Sequence, residues 1–250
     1  MIVSHKHKFI FIKNRKVAGT SVEKALAAIC GPDDILSSGV PERNRVGRNK
    51  LLSEHARNYE GTFSVLDELV LDCRPKTIAR VVRDRLKRHR YYNHMRAASI
   101  KARLGAEIWD SYYTFCFERN PWDKMISFYY WYNRATETPR DIDAFICGRM
   151  QGATADQKYP TDWERYTLRD RLIVNDVFDY GDLSGNLVTA LTRAGVAPDI
   201  AGSLDLPRFK SGTRPATPVR MSKASDAVIR RVFAHEIEAF GYTCPDGLVG

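Results

Sequence analysis

Apolar residues fall along the chain in two alternating rhythms. Residues 8–13 (KFIFIK) form a nearly continuous apolar run, the pattern of a parallel strand buried on both faces. A short basic turn follows, and residues 20–29 then take helical spacing, with Thr20 and Glu23 placed as a capping box. Residues 31–61 are rich in Gly, Pro, Ser and Asn and predict a long loop. Ile78, Val81, Val82 and Leu86 recur at helical spacing, which predicts a helix that buries this stripe and turns its arginines outward. A further helix is expected over 95–104. The aromatic run YYTFCF (112–117) predicts a second buried strand, and ERNP turns it into a helix that starts at Pro121 and continues to about Arg134. Residues 136–165 are polar and irregular. LIVNDVFDY (172–180) predicts a third strand, followed by a helix over 183–194. Four prolines between 198 and 221 predict a loop, and the last helix, near 222–239, carries Ile229, Val232, Phe233, Ile237 and Phe240 on one face. Strands alternating with helices predict an α/β fold: one three-layer domain over 1–250 with a central parallel sheet.

Composition narrows the class. The 250 residues are 44% hydrophobic and 28% charged, ordinary for a globular protein with a full core. No apolar run approaches the length of a membrane span, and the opening residues predict no secretory leader. Five widely spaced cysteines without a CxxC pair predict neither a zinc ribbon nor a disulfide framework, and the expected setting is cytoplasmic. The net charge of +9 is concentrated: residues 74–103 hold eleven Lys or Arg and one acid, Asp84. A field of that sign suggests an anionic ligand or partner, or else a solvated helix face.

The chemistry starts at the turn after the first strand. A strand, a turn with one glycine and a helix N-terminus direct backbone N–H groups and the helix dipole at an anion. Lys13, Arg15 and Lys16 add formal charge, Gly19 removes a Cβ from the approach, and Thr20 and Ser21 offer hydroxyls. A nucleoside-triphosphate loop would read GxxxxGK[ST]; here the lysine precedes the only glycine by three residues. A second element, FERNPWDKMISFYYW (117–131), sets Arg119 at a strand end and Ser127 eight residues on. This pair grips one anion provided the arginine reaches from the strand tip to the helix face.

Together the two segments resemble the sulfotransferases that use 3′-phosphoadenosine 5′-phosphosulfate (PAPS). RKVAGTS at 15–21 is similar to that family's PKTGGTS, and ERNPWDKMISFYYW at 118–131 to its VRNPWDRLVSxYxW. The run from His94 to Gly105 resembles the HATAREIRELLG of the carbohydrate-type branch at His94, Ala97, Ile100, Leu104 and Gly105. VFDYGDL (177–183) and VFAHEIEAFGY (232–242) resemble its late strand and closing helix. The likeness is weak over 31–75 and 136–165. Three positions depart: Arg15 replaces a proline, Val17 a threonine, and Glu118 an aliphatic residue beside Arg119.

The resemblance implies a P-loop-like sulfotransferase fold and transfer of a sulfuryl group from PAPS to a hydroxyl or amine, most simply on a carbohydrate or glycoconjugate, neutral or anionic. It implies that Arg15, Lys16, Ala18, Gly19, Thr20 and Ser21 hold the 5′-phosphosulfate and that Arg119 and Ser127 hold the 3′-phosphate. Lys16 would stabilise charge on the bridging oxygen, and no metal is expected. His94, or alternatively His55, would take the acceptor proton. Lys210 and Arg214 would close over the nucleotide or an anionic acceptor. His5, His7 and His235 are expected to be structural, with His5 and His7 at an exposed start. Three other readings compete: a P-loop kinase acting on a small molecule, a nucleic-acid-binding module built on 74–103, and a non-catalytic nucleotide-binding relative. The missing GK[ST] weighs against the first, and the scarcity of aromatics in 74–103 against the second.

Overall fold

The computed structural model describes residues 1–37, 55–134, 136–148, 159–206 and 219–250. Lys210 and Arg214 lie outside the described residues. Its strands are β1 (Ile2–Ser4), β2 (Phe9–Ile12), β3 (Ile35–Leu36), β4 (Tyr113–Glu118), β5 (Thr167–Leu168), β6 (Arg171–Leu172) and β7 (Asp176–Asp179). Five of them form the central sheet, in the order β3-β1-β2-β4-β7, and β5 pairs with β6 as a separate short hairpin. The helices are α1 (Gly19–Ile29), α2 (Val65–Leu71), α3 (Pro75–Leu86), α4 (Ala97–Leu104), α5 (Ala106–Ser111), α6 (Pro121–Tyr132), α7 (Ile142–Gly148), α8 (Trp163–Tyr166), α9 (Leu183–Arg193), α10 (Pro198–Gly202), α11 (Lys223–Val232) and α12 (Ala234–Phe240).

The sheet is mixed. β2, β4 and β7 run parallel, with Phe11 opposite Phe115 and Phe117 opposite Phe178. β1 is antiparallel to β2 and to β3. This corrects the expectation of a parallel sheet with an exposed start. Met1, Ile2 and Val3 are buried, His5 Nδ1 lies 2.9 Å from the Tyr112 hydroxyl, and His7 Nε2 lies 3.1 Å from the Ile29 carbonyl. A three-residue strand is too short to show a period, so tertiary pairing alone reveals it.

Alternate residues of the strands feed opposite faces of the sheet. Phe9, Phe11, Phe115, Phe117 and Phe178 pack with Val22 and Leu26 of α1 and Leu187 and Leu191 of α9. Val3, Ile10, Ile12 and Cys116 pack on the other face with Met95, Ile100, Trp109 and Tyr166. A third cluster joins Trp122 and Met125 of α6 to Phe145 of α7 and Ile229 and Phe233.

Three helix expectations change. Thr20 and Glu23 form no capping box: the cap of α1 is Ala18, in the left-handed region at φ 51°, with no side-chain bond. Glu23 turns instead to Lys13 and the Met1 amine, at 2.5 and 2.7 Å. α3 buries Thr77, Val81 and Asp84, while Ile78, Val82 and Leu86 face solvent. The polar side of the helix faces inward because an ion-pair cluster waits there. The last helix breaks at Phe233 (φ −109°, ψ 26°) into α11 and α12. α6 follows expectation, with Pro121 in its first turn and Asn120 Oδ1 accepting the Trp122 N–H at 3.1 Å. Among the described residues no helix is long and apolar enough to cross a membrane.

Candidate functional site

The parallel pairing of β2 with β4 puts the turn after β2 beside the turn after β4. The basic turn therefore meets the start of α6, and the contact is direct. Arg119, at the end of β4, donates from Nη1 to the Lys16 carbonyl at 2.9 Å. Its Nε donates to Asp123, one turn along α6, at 2.5 Å, and its guanidinium lies over the Tyr180 ring at 4.2 Å. Lys16 has φ 61°. Its Nζ lies 5.3 Å from the centre of the Trp131 ring. Trp131 is one turn beyond half-buried Ser127, so the two share a face of α6. Lys16 and Arg119 thus meet beyond the carboxyl ends of β2 and β4, and Ser127 lies on the face of α6 that carries Asp123 and Trp131.

The glycine of the turn acts on the protein's own interior. A Cβ on Gly19 would lie 2.8 Å from Lys13 Cγ and 3.0 Å from Cε. The buried stem of Lys13 runs under Gly19 to reach Glu23. This corrects the expectation that Lys13 adds charge toward an anion and that Gly19 clears space for a ligand. Burial tends to push the Glu23 carboxyl up, but Lys13 and the Met1 amine hold it down near 2. Ser21 is buried, and its N–H goes to the Ala18 carbonyl at 2.8 Å. Thr20 is half-buried.

A buried charge network supports this edge. Lys124 is fully enclosed and reaches Glu118 at 2.6 Å and Asp162 at 2.7 Å. Asp162 also accepts from the Arg15 N–H at 2.8 Å, Arg15 Nε at 3.1 Å and Arg165 Nε at 2.5 Å. Arg15 further donates to the Thr161 carbonyl. Its side chain is thereby drawn along the wall of the turn toward Asp162. Burial drives the Asp162 carboxyl up, but Lys124, Arg15 and Arg165 overcome it and hold the group below the ordinary carboxylate range. Burial pushes Glu118 up to about 7 against Lys124, with Asp162 and Glu236 adding to the rise. Glu118 therefore has a cation of its own six residues on and accepts the Arg119 backbone N–H at 2.8 Å, while the Arg119 guanidinium goes to Asp123 and the Lys16 carbonyl.

His94 joins the turn from below. Its Nδ1 lies 3.0 Å from the Lys13 carbonyl. A carbonyl only accepts, so Nδ1 carries the proton and Nε2 is the basic nitrogen. Its own carbonyl accepts from Arg165. Burial, with Lys13 and Arg165 adding, pushes its pKa down to about 3, so the ring is neutral around pH 7. His55 stands elsewhere: it is exposed and lines a small cavity with Ile2, Glu23, Lys24, Leu36 and Ser37. None of these is Lys16, Arg119 or Ser127. His235 stacks on Trp163 at 5.4 Å.

A cleft of about 390 Å³ opens at the end of α6, immediately after Trp131. Tyr132, Asn133, Thr138, Arg140 and Phe145 are among its lining residues. Sequence reasoning missed Asp162, Arg165, Trp131 and Tyr180. Asp162 and Arg165 lie in a stretch without periodicity and carried no signal; Trp131 was legible as the one-turn neighbour of Ser127. Among the described residues no group of three or more His, Cys, Asp or Glu side chains is placed to hold a metal ion.

No family model and no solved structure matches the chain. A protein of Archaeoglobus fulgidus, described as an uncharacterized protein, is 50% identical over 40 residues, which cover 16% of this chain and 33% of that protein.

Proposed function

We propose that the protein is a PAPS-dependent sulfotransferase with a P-loop-like fold, acting on a hydroxyl of a carbohydrate or glycoconjugate. The observation that carries this reading is the bond from Arg119 to the Lys16 carbonyl, at 2.9 Å, which joins the two motif-bearing turns at the carboxyl end of the parallel strands. The parallel β2–β4–β7 core supports it, since ligands of such sheets bind beyond the carboxyl ends of the strands.

The residues fit a doubly phosphorylated nucleotide in part. Lys16 on its left-handed backbone, Ala18, Thr20 and the start of α1 form the 5′ side, with Ser21 and Gly19 holding the turn's shape beneath. The remaining guanidinium donors of Arg119 and the Ser127 hydroxyl form the 3′ side, and Tyr180 and Asp123 set the plane of the fork. Arg15 serves by anchoring the turn to Asp162. Sulfuryl transfer breaks the bond between sulfur and the bridging phosphate oxygen, and Lys16 meets the charge that grows on that oxygen. The acceptor oxygen bonds to sulfur and gives up its proton, for which Nε2 of His94 is the base. The donor's negative charge, held in the adjoining turn, raises the ring's proton affinity when the site is filled. The cleft after Trp131 shares no lining residue with the Lys16–Arg119 contact and adjoins it in sequence through Trp131; as the acceptor site, its Tyr132 and Phe145 would give apolar faces for a sugar ring, and Arg140 a partner for an acidic substituent.

Adenosine 3′,5′-bisphosphate should stabilise the fold by about 2.7 kcal/mol at a hundredfold excess over its Kd, with ADP giving a much smaller shift. Equal shifts, or none, defeat the reading. Lys16→Ala should abolish transfer with thermal stability kept; normal turnover removes the role given to Lys16.

A further inference from the structure

The basic segment has a feature that nucleotide chemistry does not use. On α3, Ile78, Val82 and Leu86 follow one another at four-residue steps and stand 39, 44 and 80% exposed. On α2, Leu66 and Val70 do the same at 73 and 79%. Both helices face the body with charge. Arg80 of α3 pairs with Glu68 of α2 at 2.8 Å, and Arg103 of α4 bridges Glu68 and Asp84 at 2.7 and 3.2 Å. The apolar rows lie on the faces turned away from that cluster. The row of α3 is flanked on both sides by cations: Arg85 beside Ile78, and Lys76, Arg83 and Lys87 on the opposite flank, all exposed, with Arg88 just past the helix end. The acid of the helix, Asp84, is buried. Asp67 on α2 is the exposed acid beside the rows.

A helix with an apolar ridge between two rows of Lys and Arg matches the boundary of an anionic bilayer: the ridge enters the acyl edge and the cations meet the headgroups. We propose that the α2–α3 face docks the protein on anionic lipid, through Val82, Leu86 and Ile78 with the surrounding basic side chains. The charge complementarity selects this occupant. A second copy of the chain would bring two strongly basic faces together. A nucleic acid has no use for an aliphatic ridge, and the local aromatics, Tyr91 and Tyr92, are turned inward. The proposal is independent of the nucleotide site.

The test is sedimentation of the full chain with vesicles of phosphatidylcholine alone or with about a third phosphatidylglycerol, at low and high salt. Binding is expected to the anionic vesicles and to weaken with salt. Arg83→Gln and Lys87→Gln should each lower the partition about fivefold, and Val82→Asp with Leu86→Asp should lower it at least tenfold. All these side chains are exposed, so unchanged thermal unfolding of each variant shows that the fold is intact. Equal binding to both vesicle types, or no effect of the variants, overturns the proposal. So does a concentration-dependent dimer in light scattering that Val82→Asp with Leu86→Asp abolishes while vesicle binding is absent, which would assign the face to self-association. Salt-sensitive binding of a mixed RNA without vesicle binding overturns it equally.

Discussion

Two regions of this molecule are rich in Lys and Arg and use them in opposite ways. Around the turn after β2, each of several cations has a named partner: Lys13 with Glu23, Arg15 and Lys124 with Asp162, Arg119 with Asp123 and the Lys16 carbonyl. They are largely withdrawn from water and hold one local shape. On α3, Arg80 turns inward to Glu68 and exposed Arg83 reaches Asp84 at 3.2 Å, while Lys76, Arg85 and Lys87 stand in solvent around an apolar row. The region with the greater formal charge is therefore the less organised electrostatically. Net charge locates a field, but burial and partners decide whether that field shapes a site or a surface.

The comparison breaks most severely at Lys124. Lys124→Met leaves Glu118 and Asp162 facing each other in the interior with less compensation, and should cost about 3–5 kcal/mol in urea unfolding. A loss below about 1 kcal/mol would mean that water reaches this network.

Acid should be nearly as severe, through His94. Its pKa is about 3 when folded and 6.5 as a free side chain, so the unfolded chain binds the extra proton between those values. Stability then rises with pH across that window and falls as pH drops from 6.5 toward 3, by up to roughly 5 kcal/mol from this group. Glu118, raised from 4.5 to about 7, acts with the opposite sign between those two values. The difference between the wild type and His94→Gln isolates the histidine: the variant should lose the dependence while keeping that of Glu118. Parallel pH profiles would place His94 in water.

A smaller effect is expected at Gly19. Alanine there would gain about 1 kcal/mol of helix propensity, yet its Cβ meets Lys13 Cγ at 2.8 Å, and Glu23 pins that side chain from its far end. Overpacking of this kind costs about 1–3 kcal/mol, so a net loss of about 1 kcal/mol is expected by chemical denaturation. A gain would show that the Lys13 stem can move aside. Smallest of all, Arg83→Gln on α3 should leave stability within about 0.5 kcal/mol, and a larger change would show that the exposed basic face carries structure after all.

The sequence by itself determined the elements with strong local signals. Residues 9–12 and 113–118 are apolar enough to be strands wherever they are placed, and Pro121 after Asn120 starts a helix for reasons internal to three residues. The basic turn and the place of Arg119 at a strand end were readable in the same way, because a strand end and the helix that follows it fix short distances. Tertiary structure alone decided what those residues face. A helical period shows that Ile78, Val82 and Leu86 share a stripe, but the buried acid of Glu68, from another helix, turned Arg80 inward and left that stripe in water. Glu23, three residues after Thr20, reads as half of a capping box until Lys13 and the amine of Met1 offer it charge, which outweighs a backbone amide. Asp162 carries no periodic signal, and it gathers Arg15, Lys124 and Arg165 because a buried charge must be paired with whatever the fold brings near. Local sequence sets which conformations are cheap; which face is covered, and which charges meet, depends on neighbours distant in the chain.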